Sequence, residues 1–189
     1  MANITIFGQG TMGKAIASIF TDGGNTVNFV GKETDAELSD IVVLATPYAA
    51  AESIIANYKD ALKGKILVDI SNPVDFSTMD SQVTPADSSA AEEIQKLVPD
   101  TTVVKAFNTT FAATLASKKV ADSATTTVQI ASDDEAAKTR LAELIQAGGL
   151  KTIDAGALKR SRELEAFGFL QITLAIREQI TWMGGFAAL

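Results

Sequence analysis

The residues with the plainest chemistry in this sequence are the glycines of Phe7-Gly8-Gln9-Gly10-Thr11-Met12-Gly13. Their G-x-G-x-x-G spacing divides the work: Gly8 permits a tight turn, Gly10 lets the backbone approach a pyrophosphate, and Gly13 lets a helix lie close against a strand. A helix beginning at such a turn directs unpaired N–H groups and a partial positive charge at an anion. The spacing alone also occurs in flexible turns, so its setting decides. Here an apolar run, Ile4 to Phe7, precedes the glycines and reads as a buried strand. A helix follows with Met12, Ile16, Ile19 and Phe20 on roughly one face, and then comes a second strand, Thr26–Val30. The stretch predicts a dinucleotide site, with Gly8, Gln9, Gly10, Thr11, Met12 and Gly13 against the cofactor.

The type of dinucleotide is read where the second strand ends. An enzyme selecting NAD(H) usually places Asp or Glu there for the ribose hydroxyls, whereas NADP(H) needs room and a cation for its 2′-phosphate. Gly31-Lys32 offers both, and NADP(H) is the expected cofactor; Glu33 is the residue that would favour NAD(H) if the strand ran further. Ligands in open α/β sheets lie outside the carboxyl ends of the strands. Ala45-Thr46-Pro47 and Ser71-Asn72 stand at two such ends and are predicted to line the nicotinamide region, with Tyr48, Asn108 and Thr109 facing a second molecule. The sequence holds no Cys and no His, which excludes disulfides, thiolate metal sites and imidazole acid–base catalysis. No general acid or base is assigned.

The elements that must position these residues alternate as strand and helix. After Val30, only the polar segment from Glu33 to Asp40 precedes the third strand, Ile41 to Ala45. A crossover helix with its own strand needs about a dozen residues or more, so the fold is expected to be abbreviated here. A helix from Ala49 to Leu62 stops at Gly64, and Lys65 to Ile70 is the fourth strand. Val74 to Asp87 is polar and aperiodic, a long loop. Ser89-Ala-Ala-Glu92 is a capping box that opens a helix to about Leu97. Thr101 to Ala106 and Ala124 to Ala131 read as strands, Ser132 to Glu135 as the cap of a helix ending at Gly148-Gly149, and Lys151 to Asp154 as the last strand. Beyond Gly156 the pattern is helical to about Met183, with Leu164, Phe167, Leu170, Leu174, Ile176, Ile180 and Trp182 as a wide apolar face for the sheet or a second subunit.

The fold class is therefore α/β, Rossmann-like: a mainly parallel, doubly wound sheet with helices on both faces and a long C-terminal helix. The length of 189 residues and 47% hydrophobic content fit one dinucleotide-binding domain over 1–189, with a small helical extension from about 155. A net charge of -7 argues against nucleic acid or an anionic membrane surface as partner. The N-terminus lacks a basic segment before its apolar residues and leads straight into the glycine motif, so a cytoplasmic location is expected.

Nearly the whole chain resembles the deazaflavin (coenzyme F-420)-dependent NADP oxidoreductases and related dinucleotide-binding enzymes. The resemblance is carried by Gly8 to Gly13, Ala45-Thr46-Pro47-Tyr48, Ser71-Asn72-Pro73, Ser89-Ala-Ala-Glu92, Val103 to Thr109, Asp154-Ala-Gly156, Ser161-Arg162 and Glu165. It implies an NADP-binding Rossmann domain, a small C-terminal part completing the pocket, and a homodimer. In that family a hydroxyl residue and Arg follow the second strand; Gly31-Lys32 keeps the cation but forgoes the bidentate contact of Arg. The segment after the second strand is shorter than in the family, and Asn108 stands where deazaflavin-reducing members carry His. The expected activity is hydride transfer between NADPH and a planar small-molecule acceptor, flavin or deazaflavin-like, which needs orientation more than a strong acid or base. The alternatives are a non-catalytic NADP(H)-binding module and a small carbonyl or imine reductase with Lys105 or Tyr48 as proton donor.

Overall fold

The structure, a computed structural model, describes residues 1–31 and 36–188. Lys32 and Glu33, the residues expected to select the cofactor, lie outside the described residues. The first strand, β1 (Asn3–Phe7), delivers the chain to the glycine turn and to α1 (Thr11–Asp22). Then follow β2 (Thr26–Val30), β3 (Ile41–Leu44), α2 (Tyr48–Leu62), β4 (Ile66–Asp69), α3 (Ala90–Leu97) and β5 (Thr102–Lys105). The second half comprises α4 (Ala112–Ser117), β6 (Lys119–Val120), β7 (Ala124–Thr125), β8 (Thr127–Ala131), α5 (Glu135–Ala147), β9 (Lys151–Gly156) and α6 (Ser161–Ile176).

The main sheet has the order β2-β1-β3-β4-β5-β8-β9. Its first five strands pair in parallel, β8 runs antiparallel to β5, and β9 is parallel to β8. Strands covered on both faces can be apolar at every position, and Ile41, Val42, Val43 and Leu44 are all buried. Ile41 and Val43 pack in the layer of α1 and α5, with Ile16, Phe20, Leu141 and Ile145. Val42 and Leu44 face the opposite layer, with Ile55 and Leu62 of α2 and Ile94 of α3. Successive side chains thus serve two cores, the arrangement that a doubly wound sheet requires. β3 pairs directly with β1, and β2 stands at the edge of the sheet, which is the expected abbreviation.

The predicted caps are present. Ser89 Oγ accepts from the Glu92 N–H at 3.2 Å and donates to Glu92 Oε2 at 2.8 Å, and Asp134 Oδ1 accepts from the Ala137 N–H at 2.9 Å. Val74 to Asp87 is a loop of turns crossed by one isolated bridge between Val74 and Gln82.

Two regions differ from expectation. The stretch from Ala124 to Ala131 is not one strand. Thr126 turns inward, its Oγ donating to Thr114 O at 2.7 Å, so β7 belongs to a small hairpin with β6 while β8 joins the main sheet. Lys118, which ends α4, and Ala121 and Asp122 of the hairpin turn all take positive φ without being glycine, so the hairpin lacks the glycine that most plainly marks such a turn in a sequence. The C-terminal helix stops at Ile176 rather than Met183. Glu178 takes φ 57°, its N–H bonds Ala175 O, and the Gln179 N–H reaches back to Leu174 O, which is a Schellman ending built on a residue other than glycine.

Candidate active site: a cleft at the carboxyl ends of the strands

The glycine turn is built by close approach. Gly8 has φ 103°, and a Cβ there would stand 2.2 Å from Ala45 O. A Cβ on Gly13 would lie 2.2 Å from Gly8 O, so α1 can pack onto the turn only through hydrogen. Gly10 is different: a Cβ there would meet nothing within 4 Å. The space over Gly10 is open, and it lies at the start of a helix whose first turn has no capping side chain and no acid. Unpaired N–H groups facing open space suit a pyrophosphate.

From this helix end a cleft of about 540 Å³ runs along the strand ends. Thr11 and Met12 line it at one side, then Ala45, Thr46, Pro47 and Tyr48 after β3, then Ser71, Asn72 and Asn108, so the structure brings these candidate residues to one cleft. Gln9 and Gly10 line an adjoining groove of about 550 Å³ between α1 and α4, with Lys14 at its wall. Gly31 is exposed beside Gln9, whose Nε2 would stand 3.9 Å from a Cβ at Gly31. Thr109 is not in the cleft lining. It is buried, with its carbonyl accepting from Gln171 Nε2 at 3.3 Å, and Thr110 lines the cleft in its place. The far wall is apolar, from Phe76, Phe111, Ile172 and Trp182, with Trp182 packed edge-on against Phe111 at 4.8 Å.

The floor is an amide exchange. Asn72 Nδ2 donates to Asn108 O at 2.9 Å, and Asn108 Nδ2 donates to Asn72 Oδ1 at 2.9 Å and to Leu164 O at 2.8 Å. Gly168 of α6 makes room for the pair, since a Cβ there would lie 2.4 Å from Asn72 Oδ1. Asn108 is turned into this position by Phe107, fully buried at φ 64° with the Asn108 N–H bonded to Ala106 O at 2.8 Å. A bulky residue in that left-handed turn costs about 1 to 3 kcal/mol and persists only where its surroundings over-determine it.

Beneath the floor lies a buried ionic cluster that joins three elements. Lys105 Nζ donates to Asp69 Oδ2 at 2.7 Å, Glu165 Oε1 at 2.7 Å and Ser71 O at 2.5 Å. The Glu165 carboxylate also accepts from the Ala90 and Ala91 N–H groups, at 2.9 and 3.3 Å, and so caps α3 from α6. Burial pushes the Glu165 carboxyl up, while Lys105 opposes that shift. With its donors engaged and its side chain inaccessible, Lys105 is a structural cation rather than a proton donor to the cleft. Tyr48 is the titratable residue at the cleft wall; burial, and then the negative charges of Glu93, Glu165, Asp69 and Glu52, push its phenol up and keep it neutral.

The sequence reading missed Gly168, Gln171 and the buried polar face of α6. A spacing signal exists in retrospect: Ser161, Leu164, Glu165, Gly168, Gln171 and Ala175 recur at helical intervals and are all buried. No group of His, Cys, Asp and Glu among the described residues could hold a metal.

Comparison with known proteins identifies the family. Residues 28–73 match the family model "NADP oxidoreductase coenzyme F420-dependent". The chain is 32% identical over 170 residues to the F420-dependent NADP reductase of Methanocaldococcus jannaschii, covering 87% of this chain and 75% of that protein. It belongs to this family. The reductase of the same name from Methanothermobacter marburgensis is 32% identical over 151 residues, covering 77% of this chain and 66% of its own length. A crystal structure from Arthrobacter sp. FB24, described as a candidate F420-dependent NADP reductase, superposes over the whole of both chains with a TM-score of 0.85 and 25% identity. Ser89, Glu92, Arg162 and Glu165, the motif behind part of the sequence resemblance, act together. Arg162 makes a bidentate pair with Glu92, at 2.8 and 2.6 Å, and Glu165 caps the same helix, so the motif is the fastening of α6 onto α3.

Proposed function

We propose that this chain is an NADP(H)-dependent oxidoreductase moving hydride between NADPH and a planar small-molecule acceptor of the deazaflavin or flavin type. The observation that carries the reading is the cleft. It is continuous from the uncapped end of α1 to an aromatic wall, and at its middle are neutral groups that orient rather than titrate. When bound, NADPH supplies the hydride. The turn from Gly8 to Gly13 would hold the pyrophosphate, Gly31 and Lys32 the 2′-phosphate, and Thr46, Pro47, Ser71 and Asn72 the nicotinamide end. Thr46 Oγ1 is buried without a partner at that end, as a ligand-binding hydroxyl would be. Tyr48, Asn108 and Thr110 would face the acceptor. The protein's task is to stack and align two ring systems while apolar side chains exclude water.

The reading extends to a single Rossmann unit completed by its C-terminal segment, acting in the cytoplasm as a homodimer. Leu170, Ile176, Trp182, Met183 and Phe186 are exposed along α6 and the tail, an apolar surface suited to a second subunit. Sedimentation of the wild type and of Ile176→Glu tests the dimer. The activity is tested by following NADPH oxidation with a deazaflavin, FMN and riboflavin as acceptors, and by titrating NADPH against NADH. Turnover with a planar acceptor and tighter NADPH binding are expected. Tight NADPH binding with none of these acceptors reduced would instead make the chain a binding module.

A further inference from the structure

Two buried acceptor atoms in the cleft have no partner. Asn108 and Gln171 are each 3% exposed and both line the cleft, yet Asn108 Oδ1 and Gln171 Oε1 receive no hydrogen bond. Their orientation is fixed by chemistry. Asn108 Nδ2 is engaged by Asn72 Oδ1 and Leu164 O, and Gln171 Nε2 by Thr109 O. In each case the amide nitrogen faces a carbonyl, so neither amide can be turned over to present a donor. The segments that carry the two side chains touch. Thr109 follows Asn108 in sequence, and Gln171 stands one helical turn beyond Gly168, whose Cβ position lies 2.9 Å from Asn108 O.

Among the described residues no protein group donates to either oxygen. The tail crosses the Gln171 amide at Gly185, where a Cβ would stand 3.4 Å from its Oε1. A buried acceptor without a donor is costly, and such atoms in a cleft mark what the occupant must bring. We infer that Asn108 and Gln171 form an acceptor pair that selects a hydride acceptor presenting an imide N–H, such as the pyrimidinedione edge shared by flavins and deazaflavins. The proposal rests on the hydride-transfer reading above and adds the atom that is recognised and the residue, Gln171, that discriminates. A quinone, which has no ring N–H, leaves both oxygens unpaired and is disfavoured.

The test uses the full chain loaded with NADP⁺ and the intrinsic fluorescence of lumiflavin. Lumiflavin and its N3-methyl analogue differ at the donor. Binding of each to the wild type and to Gln171→Met gives a four-way cycle, and NADPH oxidation with lumiflavin and with a deazaflavin is measured alongside. The wild type is expected to bind lumiflavin at least about tenfold more tightly than the N3-methyl compound, and Gln171→Met is expected to lose most of that preference by weakening lumiflavin alone. Equal binding of the two flavins by the wild type, with turnover intact, overturns the acceptor pair and leaves the hydride reading standing. Failure of every planar acceptor to bind or turn over overturns both. A parallel titration with deamido-NADP⁺ separates the other source of an N–H, the nicotinamide carboxamide: a Gln171→Met effect confined to the carboxamide-bearing cofactor assigns the pair to the cofactor and overturns the proposal. Equal binding of the two flavins by the wild type overturns the pair even if the variant fails to fold, and Gln171→Leu then replaces Gln171→Met in the cycle.

Discussion

Gly10 and Gly13 are both glycines of one motif, but they answer to different forces, and substitution separates them. Gly10 has φ -71° and ψ -176°, open to any residue, and its Cβ would enter empty space. Gly10→Ala is therefore expected to leave urea-denaturation stability within about 1 kcal/mol of the wild type while weakening NADPH binding more than roughly tenfold, because the methyl fills the phosphate's place. Gly13→Ala drives a methyl into a backbone carbonyl and should cost about 1 to 3 kcal/mol of stability in addition to cofactor affinity. Equal stability loss in the two variants would contradict this division. The motif was legible because it is local. The cleft partners were legible where a strand end announced them: Thr46, Asn72 and Asn108 sit where the alternation stops, while Gln171 is marked only by its helical spacing from Ser161, Glu165 and Gly168, a polar row that apolar periodicity passes over.

At the level of elements, β4, β5 and α6 are joined by charge, and the same Glu165 carboxylate caps α3. Lys105→Met leaves Asp69 and Glu165 buried without their cation, and a loss of about 3 to 5 kcal/mol in denaturant unfolding is expected. Adding Glu165→Gln to that variant should recover part of the loss. The exposed half of the fastening behaves differently. Arg162, then Ser89, holds the Glu92 carboxyl below its usual range against the opposing effect of partial burial. A carboxyl whose folded value is depressed contributes stability above its unfolded value and loses it as pH falls through the folded value. The melting temperature of Glu92→Gln should therefore lie below that of the wild type at neutral pH, with the gap closing in acid below the ordinary carboxylate range. Glu165, whose value moves the opposite way, is present in both proteins and cancels in the comparison. The orientation of α6 was legible only in part from periodicity, which left its apolar face to the sheet or to a second subunit. Leu170 and Ile176 are about half exposed, whereas Ser161, Glu165, Gly168 and Gln171 face inward, because the helix docks on a polar floor and a carbonyl-rich strand end rather than on the core. Hydrophobic periodicity assumes that the interior is apolar, and here the interior side is the site.

For the whole molecule, the mainly parallel sheet, the helices on both its faces and the shortened link after β2 follow from apolar runs and connection lengths, so the architecture was largely readable, whereas the strand order came from the structure. What length alone does not reveal is the direction of β8, which meets β5 at the single registered pair Lys105 and Ala131, against the full registers of β1 to β5 and of β8 with β9. The main sheet therefore has a seam. Amide hydrogen exchange should resolve two cooperative units, with β1 to β5 protected together and β8 and β9 opening at lower free energy. The proposed cofactor contacts lie on the first side of that seam, so NADPH should slow exchange in β1 and β3 far more than in β9. Uniform protection across all strands would show that the packing of α5 on α1 closes the gap. A seam of this kind also localises tolerance: insertions, fusions and sequence drift at the β8–β9 margin can accumulate without retuning the affinity for nucleotide.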